Sequence, residues 1–95
     1  MRSQELMARI EAGTAPVILD VRSAWEFRRG HVPGAVRLSF WSIAAHVDEI
    51  PAHKNDEVVV YCGHGPRAYW AAAALKRCGF VRVALLEGHW HGWSR

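Results

Sequence analysis

The chain has 95 residues, with 12 Lys and Arg against 9 Asp and Glu, which gives a formal net charge of +3. This length suits one domain with a modest core. No apolar run approaches the ~20 residues that span a bilayer, the start lacks a secretory signal pattern, and no long basic run suggests nucleic acid binding. Two cysteines do not form a disulfide framework. We therefore expect one domain over residues 1–95, cytoplasmic, with no membrane or nucleic acid partner and a mild attraction for small anions.

Hydrophobic spacing and turn residues divide the chain into alternating helices and short strands. Ser3 is the expected N-cap of the first helix, and Ser23 with Glu26 has the spacing of a capping box at the second. Pro33-Gly34 suits a type II turn. The predicted elements in chain order are a helix over 3–12, a strand over 16–21, a short helix over 23–30, a strand over 35–38, a helix over 40–50, a strand over 58–62, a helix over 67–78, a strand over 81–86 and a short helical or irregular segment over 88–93.

The strands "PVILDV" and "VVVYC" are apolar on both faces and alternate with helices. This pattern predicts an α/β fold with a parallel sheet covered by helices on both sides. Ligands of such sheets bind at the carboxyl ends of the strands. Because Cys62 ends the strand over 58–62, the sequence places it where these folds hold their sites.

The stretch "YCGHGPRA" combines a cysteine, two glycines and the start of a helix. A cysteine is nucleophilic only as its thiolate, and a free thiol has a pKa near ~8.5, so such a residue needs surroundings that favour the anion. Backbone amides in a glycine-bearing turn and a helix N-terminus can supply them. The amides expected to turn toward the sulfur are those of Gly63, His64, Gly65, Arg67 and Ala68.

Arg67 lies in the first turn of the predicted helix, where a cation opposes the helix dipole. A local rule broken beside a candidate nucleophile indicates function. We expect Arg67 to hold an anionic substrate or to stabilise the thiolate. A solvated arginine on a helix that would fold anyway is the alternative.

The remaining polar candidates have plainer interpretations. Cys78 is expected to be a packed hydrophobe, because the helix between the two cysteines spans about 16 Å and disulfide Cα atoms lie within ~7 Å. Asp20 and Arg22 are interpreted as an ion pair that pins loops, with the alternative that one of them borders the pocket, and Glu26 is interpreted as a helix cap. The histidines have no metal-ligand spacing, so no metal site is predicted.

Four of the five tryptophans divide into two groups. We expect Trp70 and Trp93 to lie in the core. Trp41 and Trp90 are expected either at the mouth of a pocket or on a partner surface.

Three stretches taken together resemble the rhodanese domain, the sulfurtransferase fold. They are "LDVRSAWEFRRGHVPGA" over 19–35, "YCGHGPRA" over 61–68 and "LLEGHWHGW" over 85–93. The resemblance implies a five-stranded parallel sheet flanked by helices. It also implies that Cys62 becomes a persulfide by taking sulfur from a small anionic donor such as thiosulfate, with the loop amides around the terminal sulfur and Arg67 on the donor. The acceptor would be a thiol, cyanide or a sulfur carrier, and no cofactor is implied.

Two other functions are considered beside sulfur transfer. The family-type loop can belong to a regulatory module that docks a partner without catalysis. Cysteine-based phosphatases and arsenate reductases use a Cys-x5-Arg loop, whereas four residues separate Cys62 from Arg67, and the smaller loop favours sulfur over a tetrahedral oxyanion. His89 stands where the resembling motif usually has a second glycine, which leaves the shape of the C-terminal turn open.

Overall fold

The computed structural model describes residues 1–93. Its elements are α1 (Ser3–Ala12), β1 (Val17–Asp20), α2 (Ala24–Arg28), β2 (Val36–Arg37), two 3-10 turns (Phe40–Ser42 and Val47–Glu49), β3 (Val58–Tyr61), α3 (Pro66–Arg77) and β4 (Val83–Leu85). The N-cap of α1 is Arg2, which has extended backbone, rather than the expected Ser3. No helix within residues 1–93 is both long enough and apolar enough to cross a bilayer.

The four strands form one parallel sheet in the order β2-β1-β3-β4. The predicted α/β class is therefore confirmed. β1 and β3 are neighbours with Asp20 paired to Tyr61, so their carboxyl ends meet at one edge. The helices that follow these two strands, α2 and α3, consequently begin close together.

The described residues contain four strands, one fewer than the resemblance implies. Only Met1 lies beside the free edge of β4, where its ammonium group donates to the carbonyl of Leu85 and its carbonyl accepts from the amide of Glu87. Helix α1 then begins at Ser3. Among residues 1–93, the edge of β4 is thus bonded by this one residue and not by a further strand.

Strand side chains alternate between two cores because successive residues point to opposite faces. The strand residues of the core that contains α3 are Leu19, Val21, Val58, Val60 and Cys62. The strand residues of the core that contains α1 are Ile18, Val59 and Tyr61. Cys62 thus lies on the α3 side of the sheet, under the first turn of that helix.

The segment over 40–50 is not the predicted α-helix but two 3-10 turns, Phe40–Ser42 and Val47–Glu49. Ile43 and Ile50 are the buried apolar side chains of the segment. A run of about ten residues with several β-branched side chains is too short to hold an α-helix by propensity, so burial of these anchors decides its shape.

Candidate functional site

The candidate nucleophile Cys62 follows β3 directly and is fully buried. The amide of Gly65 donates to its Sγ atom over 2.9 Å. Gly65 has φ 139°, a conformation that glycine adopts at little cost, and Pro66 follows at the first position of α3. The glycine turn therefore aims one N–H at the sulfur and starts the helix.

The other predicted loop residues lie around the hydrogen bond from Gly65 to Cys62. Of the five amides expected to turn toward the sulfur, Gly65 alone donates to it among the described residues, so the expected nest is smaller than predicted. His64 is exposed and its ring lies 4.7 Å from that of His91, while Ala68 is buried in the first turn of α3. The carbonyl of Gly63 accepts from the amide of His91.

Arg67 forms a two-pronged ion pair with Glu26, the capping residue of α2. Its two terminal nitrogens donate to the two carboxylate oxygens over 2.7 and 3.0 Å. The hydrogen bond from Arg67 is the main reason that the pKa of Glu26 falls to about 2. The pKa of Arg67 is raised, first by Glu26 and further by the nearby Cys62, although burial opposes the rise. The guanidinium is thus a fixed cation beside the sulfur.

Glu26 also completes the predicted capping box. Its side chain accepts from the amide of Ser23, and its own amide donates to the Ser23 hydroxyl. One carboxylate therefore fixes the start of α2 and the cation at the start of α3. The capping role was predicted, whereas the contact with Arg67, 41 residues away, was not.

A buried polar network supports the loop from below. The Tyr61 hydroxyl donates to Asp20 over 2.6 Å and accepts from the amide of Val32 over 3.0 Å. The Arg22 guanidinium donates to Asp20 and to the carbonyl of Gly30. Burial, followed by the bond to Asp20, raises the pKa of Tyr61, which stays a neutral donor. The structural interpretation of Asp20 and Arg22 agrees with this network.

The segment after β4 runs along Cys62 and holds its backbone. The amide of Trp90 donates to the Cys62 carbonyl over 2.9 Å, and the Cys62 amide donates to Nδ1 of His89 over 3.3 Å. His89 has φ 53°, the left-handed conformation that favours glycine. The usual glycine of the motif is thus replaced by a side chain that reaches the candidate nucleophile.

A small cavity of about 110 Å³ lies beside Arg67 at the carboxyl edge of the sheet. Its polar lining comes from Ser23, Ser39, Arg22 and Arg67, and its apolar lining from Val21, Phe40 and Trp41. A larger groove of about 340 Å³ shares Phe40 and Trp41 and continues to Trp70, Ala74 and Arg77. Trp41 therefore lies between the cavity beside Arg67 and an open, partly apolar groove.

Of the two tryptophans expected in the core, one is buried and the other is exposed. Trp93 is buried as expected, but Trp70 is 63% exposed and not in the core. The buried stripe of α3 consists of Ala68, Ala71, Ala72 and Leu75. Position 70 falls outside this stripe because helical neighbours on one face are three or four residues apart. Trp41 is 77% exposed, and the half-buried ring of Trp90 lies 4.9 Å from the Arg22 guanidinium.

Cys78 is a free thiol that packs, half-buried, against the core around α3. The prediction of a packed hydrophobe is confirmed. Cys62 is free as well, so the structure leaves both thiols unbridged.

Comparison with known proteins agrees with the fold. The chain is 34% identical to a sulfurtransferase of Allochromatium vinosum, over 98% of this chain and 85% of that protein. It is 36% identical to the thiosulfate sulfurtransferase GlpE of Pseudomonas savastanoi pv. phaseolicola, over 81% of this chain and 71% of that protein. The Alr3790 protein from Anabaena superposes with a TM-score of 0.88 at 26% identity, covering 98% of this chain and 83% of that one.

The family model for the rhodanese-like domain matches residues 3–95, which takes in all three of the motifs and the Cys62 loop. With a parallel sheet, a loop cysteine at its carboxyl edge and sulfurtransferase relatives at about a third identity, the chain belongs to the rhodanese-like domain family.

Proposed function

We propose that this chain is a sulfurtransferase that moves a sulfane sulfur from a thiosulfate-type donor to a thiophilic acceptor through a persulfide on Cys62. One observation carries the proposal: a buried sulfur at the end of β3 receives the Gly65 amide and has the Arg67 guanidinium beside it. A positive environment around a cysteine stabilises the anion that must attack.

In the first half-reaction the Cys62 thiolate attacks the outer sulfur of thiosulfate. The sulfur–sulfur bond of the donor breaks, and sulfite leaves with the electron pair. The product is a negatively charged persulfide on Cys62, whose inner sulfur is the atom that accepts from the Gly65 amide. In the second half-reaction the acceptor attacks that terminal sulfur and the Cys62 thiolate is released, giving thiocyanate from cyanide or a new persulfide from a thiol.

Arg67 is the residue that would hold the donor. A guanidinium has five N–H donors. Two of them bind Glu26, which leaves others for the oxygens of an anion. The 110 Å³ cavity beside Arg67 also presents the hydroxyl-bearing residues Ser23 and Ser39 to such a group. Glu26 keeps the arginine in place when no donor is bound.

The size of the loop supports sulfur transfer over phosphate chemistry. Four residues separate Cys62 from Arg67, and the amide of Gly65 already lies 2.9 Å from the sulfur. A tetrahedral oxyanion needs several inward donors spaced around it, whereas a single terminal sulfur atom needs fewer.

A second candidate function is docking of a partner protein without turnover. The observation that favours it is the groove, whose rim carries the exposed Trp41 and Trp70 together with Arg77. Exposed aromatic and arginine side chains are enriched where proteins bind each other. Both functions can use the same face of the molecule, so turnover decides between them.

The test is thiocyanate formation from thiosulfate and cyanide by wild type, Cys62→Ser and Cys78→Ser. We expect wild type and Cys78→Ser to be active and Cys62→Ser to be inactive. No thiocyanate from wild type with thiosulfate or with an organic thiosulfonate as donor would favour the docking function. Hydrolysis of an aryl phosphate that is lost in Cys62→Ser would instead revive phosphatase chemistry.

A further inference from the structure

The contact between Cys62 and His89 replaces a bond that the sheet would otherwise supply. Along the pair of β3 and β4, the amide of Val58 donates to the carbonyl of Arg82, and the amide of Leu86 donates to the carbonyl of Val60. The next bond of a parallel ladder would run from the Cys62 amide to the carbonyl of Leu86.

That bond is not made, because the chain turns after Leu86. The Leu86 carbonyl accepts instead from the amide of His89, over 3.1 Å. The amide of the fully buried Cys62 then finds its acceptor in the imidazole of the same residue, at Nδ1. A buried amide without an acceptor is unfavourable, so the His89 ring supplies the acceptor that β4 does not offer to the Cys62 amide.

The same ring also lies next to the glycine whose amide donates to the sulfur. Its Nε2 atom lies 3.4 Å from the position that a Cβ on Gly65 would occupy. Gly65 is the residue whose amide donates to Cys62 Sγ. One imidazole therefore accepts from the backbone at the start of the Cys62–Gly65 turn and occupies the space beside the glycine at its close.

We propose that His89 is a positioning residue for Cys62. The neutral ring of His89 accepts the hydrogen bond of the Cys62 amide at Nδ1, and this bond fixes the turn that brings Gly65 to the sulfur. Only the expected effect of His89 on turnover rests on the proposed function. A cysteine held by a side chain 27 residues away keeps its sulfur in register with the Gly65 amide when the terminal sulfur is added and removed.

The required protonation state follows from the contact. Nδ1 must be an acceptor, so the proton of the neutral ring is on Nε2, because a doubly protonated ring has only donors. Burial first, and then the charge of neighbouring His64, lower the pKa of His89 and favour the neutral ring. The other titratable groups of the surrounding elements are Cys62 in the loop, the ion-paired Arg67 on α3, and Glu87 and His91 on either side of His89.

Two substitutions separate the contact from the backbone conformation. Glycine accepts φ 53° without strain but offers no acceptor, so in His89→Gly the relief of backbone strain offsets part of the cost of the lost hydrogen bond, and the variant is expected to fold. Asparagine also tolerates the left-handed region, and its Oδ1 can take the place of Nδ1. His53→Asn changes an exposed histidine in a loop outside the site and is the matched control.

The experiment measures three quantities on the full chain. They are amide hydrogen exchange at Cys62 by NMR, the ring nitrogen shifts of His89, and kcat and KM for thiosulfate with cyanide as acceptor. For His89→Gly we expect about tenfold faster exchange at the Cys62 amide and a kcat about tenfold lower with little change in KM. His89→Asn should recover most of both, and His53→Asn should match wild type.

Several results would overturn the inference. They are a protonated Nδ1 in wild type, a His89→Gly variant within twofold of wild type in either exchange or kcat, or a His89→Asn variant as impaired as the glycine variant. If wild type forms no thiocyanate, the proposed function fails alone. The nitrogen shifts and the exchange at Cys62 then still decide whether His89 positions the cysteine.

Discussion

Replacing Glu26 by glutamine tests whether the ion pair between α2 and α3 holds the candidate site together. The amide side chain of Glu26→Gln keeps an oxygen that can accept from Ser23, so the capping box survives. What is lost is the charge opposite Arg67. The substitution therefore removes the charge and also one of the two hydrogen bonds from Arg67, because the amide nitrogen that replaces a carboxylate oxygen is itself a donor.

The size of the effect follows from the pKa of Glu26. The fall from 4.5 to about 2 corresponds to at most about 3 kcal/mol, since one pKa unit is ~1.4 kcal/mol. The two side chains are 34% and 29% exposed, so screening by solvent reduces the expected loss of unfolding free energy to about 1–2 kcal/mol. Because the folded pKa lies below the unfolded one, this stabilisation is complete above about pH 5 and disappears as the pH falls toward 2.

Urea unfolding followed by tryptophan fluorescence measures this difference. Wild type should exceed Glu26→Gln by about 1–2 kcal/mol near pH 7, and the gap should close progressively between about pH 4 and pH 2. Glu11→Gln, an exposed change on α1, is the control and should differ little from wild type at either pH. A gap that is absent near pH 7, or equally large near pH 2, would show that the charge of Glu26 does not stabilise the fold through Arg67.

Three further substitutions test other contacts of the site. Arg67→Lys keeps the charge but loses the planar fork, so the KM for thiosulfate should rise about tenfold in the cyanide assay, and an unchanged KM would count against its role on the donor. Tyr61→Phe removes the hydroxyl that donates to Asp20, so the free energy of unfolding measured in urea should fall by about 1–3 kcal/mol. A fall of less than about 0.5 kcal/mol would show that this hydrogen bond does not stabilise the fold. Gly92→Ala places a Cβ 2.9 Å from the backbone of Gly88, so melting temperature and turnover should both fall, and a variant that matches wild type in both would show that the segment yields freely.

The sheet and the position of the cysteine could be predicted from local patterns. Strands such as Val58–Tyr61 are apolar on both faces, which only a doubly covered parallel sheet explains. The capping box of Ser23 and Glu26 and the turn at Pro33-Gly34, where Gly34 has φ 85°, depend on residues a few positions apart and were confirmed. Where the determinants are local, the sequence is sufficient.

The shape of the segment over 40–50 and two contacts of the site were not predicted, because they depend on long-range packing. The spacing over 40–50 suits a helix, yet burial of Ile43 and Ile50 produces two 3-10 turns. Glu26 was fully explained by its capping box, so nothing in the sequence indicated its second partner, Arg67. His89 carried a signal as a departure from a glycine, but its contact with Cys62 depends on how the chain turns after β4.

The central claim is that Cys62 carries the transferred sulfur, and intact mass spectrometry tests it most directly. Wild type, Cys62→Ser and Cys78→Ser would be incubated with thiosulfate, freed of excess donor, weighed, and then treated with cyanide. We predict a gain of one sulfur atom on wild type and on Cys78→Ser, reversed by cyanide, and no gain on Cys62→Ser. A gain on Cys62→Ser that is absent from Cys78→Ser would contradict the claim and assign the chemistry to the cysteine at the far end of α3.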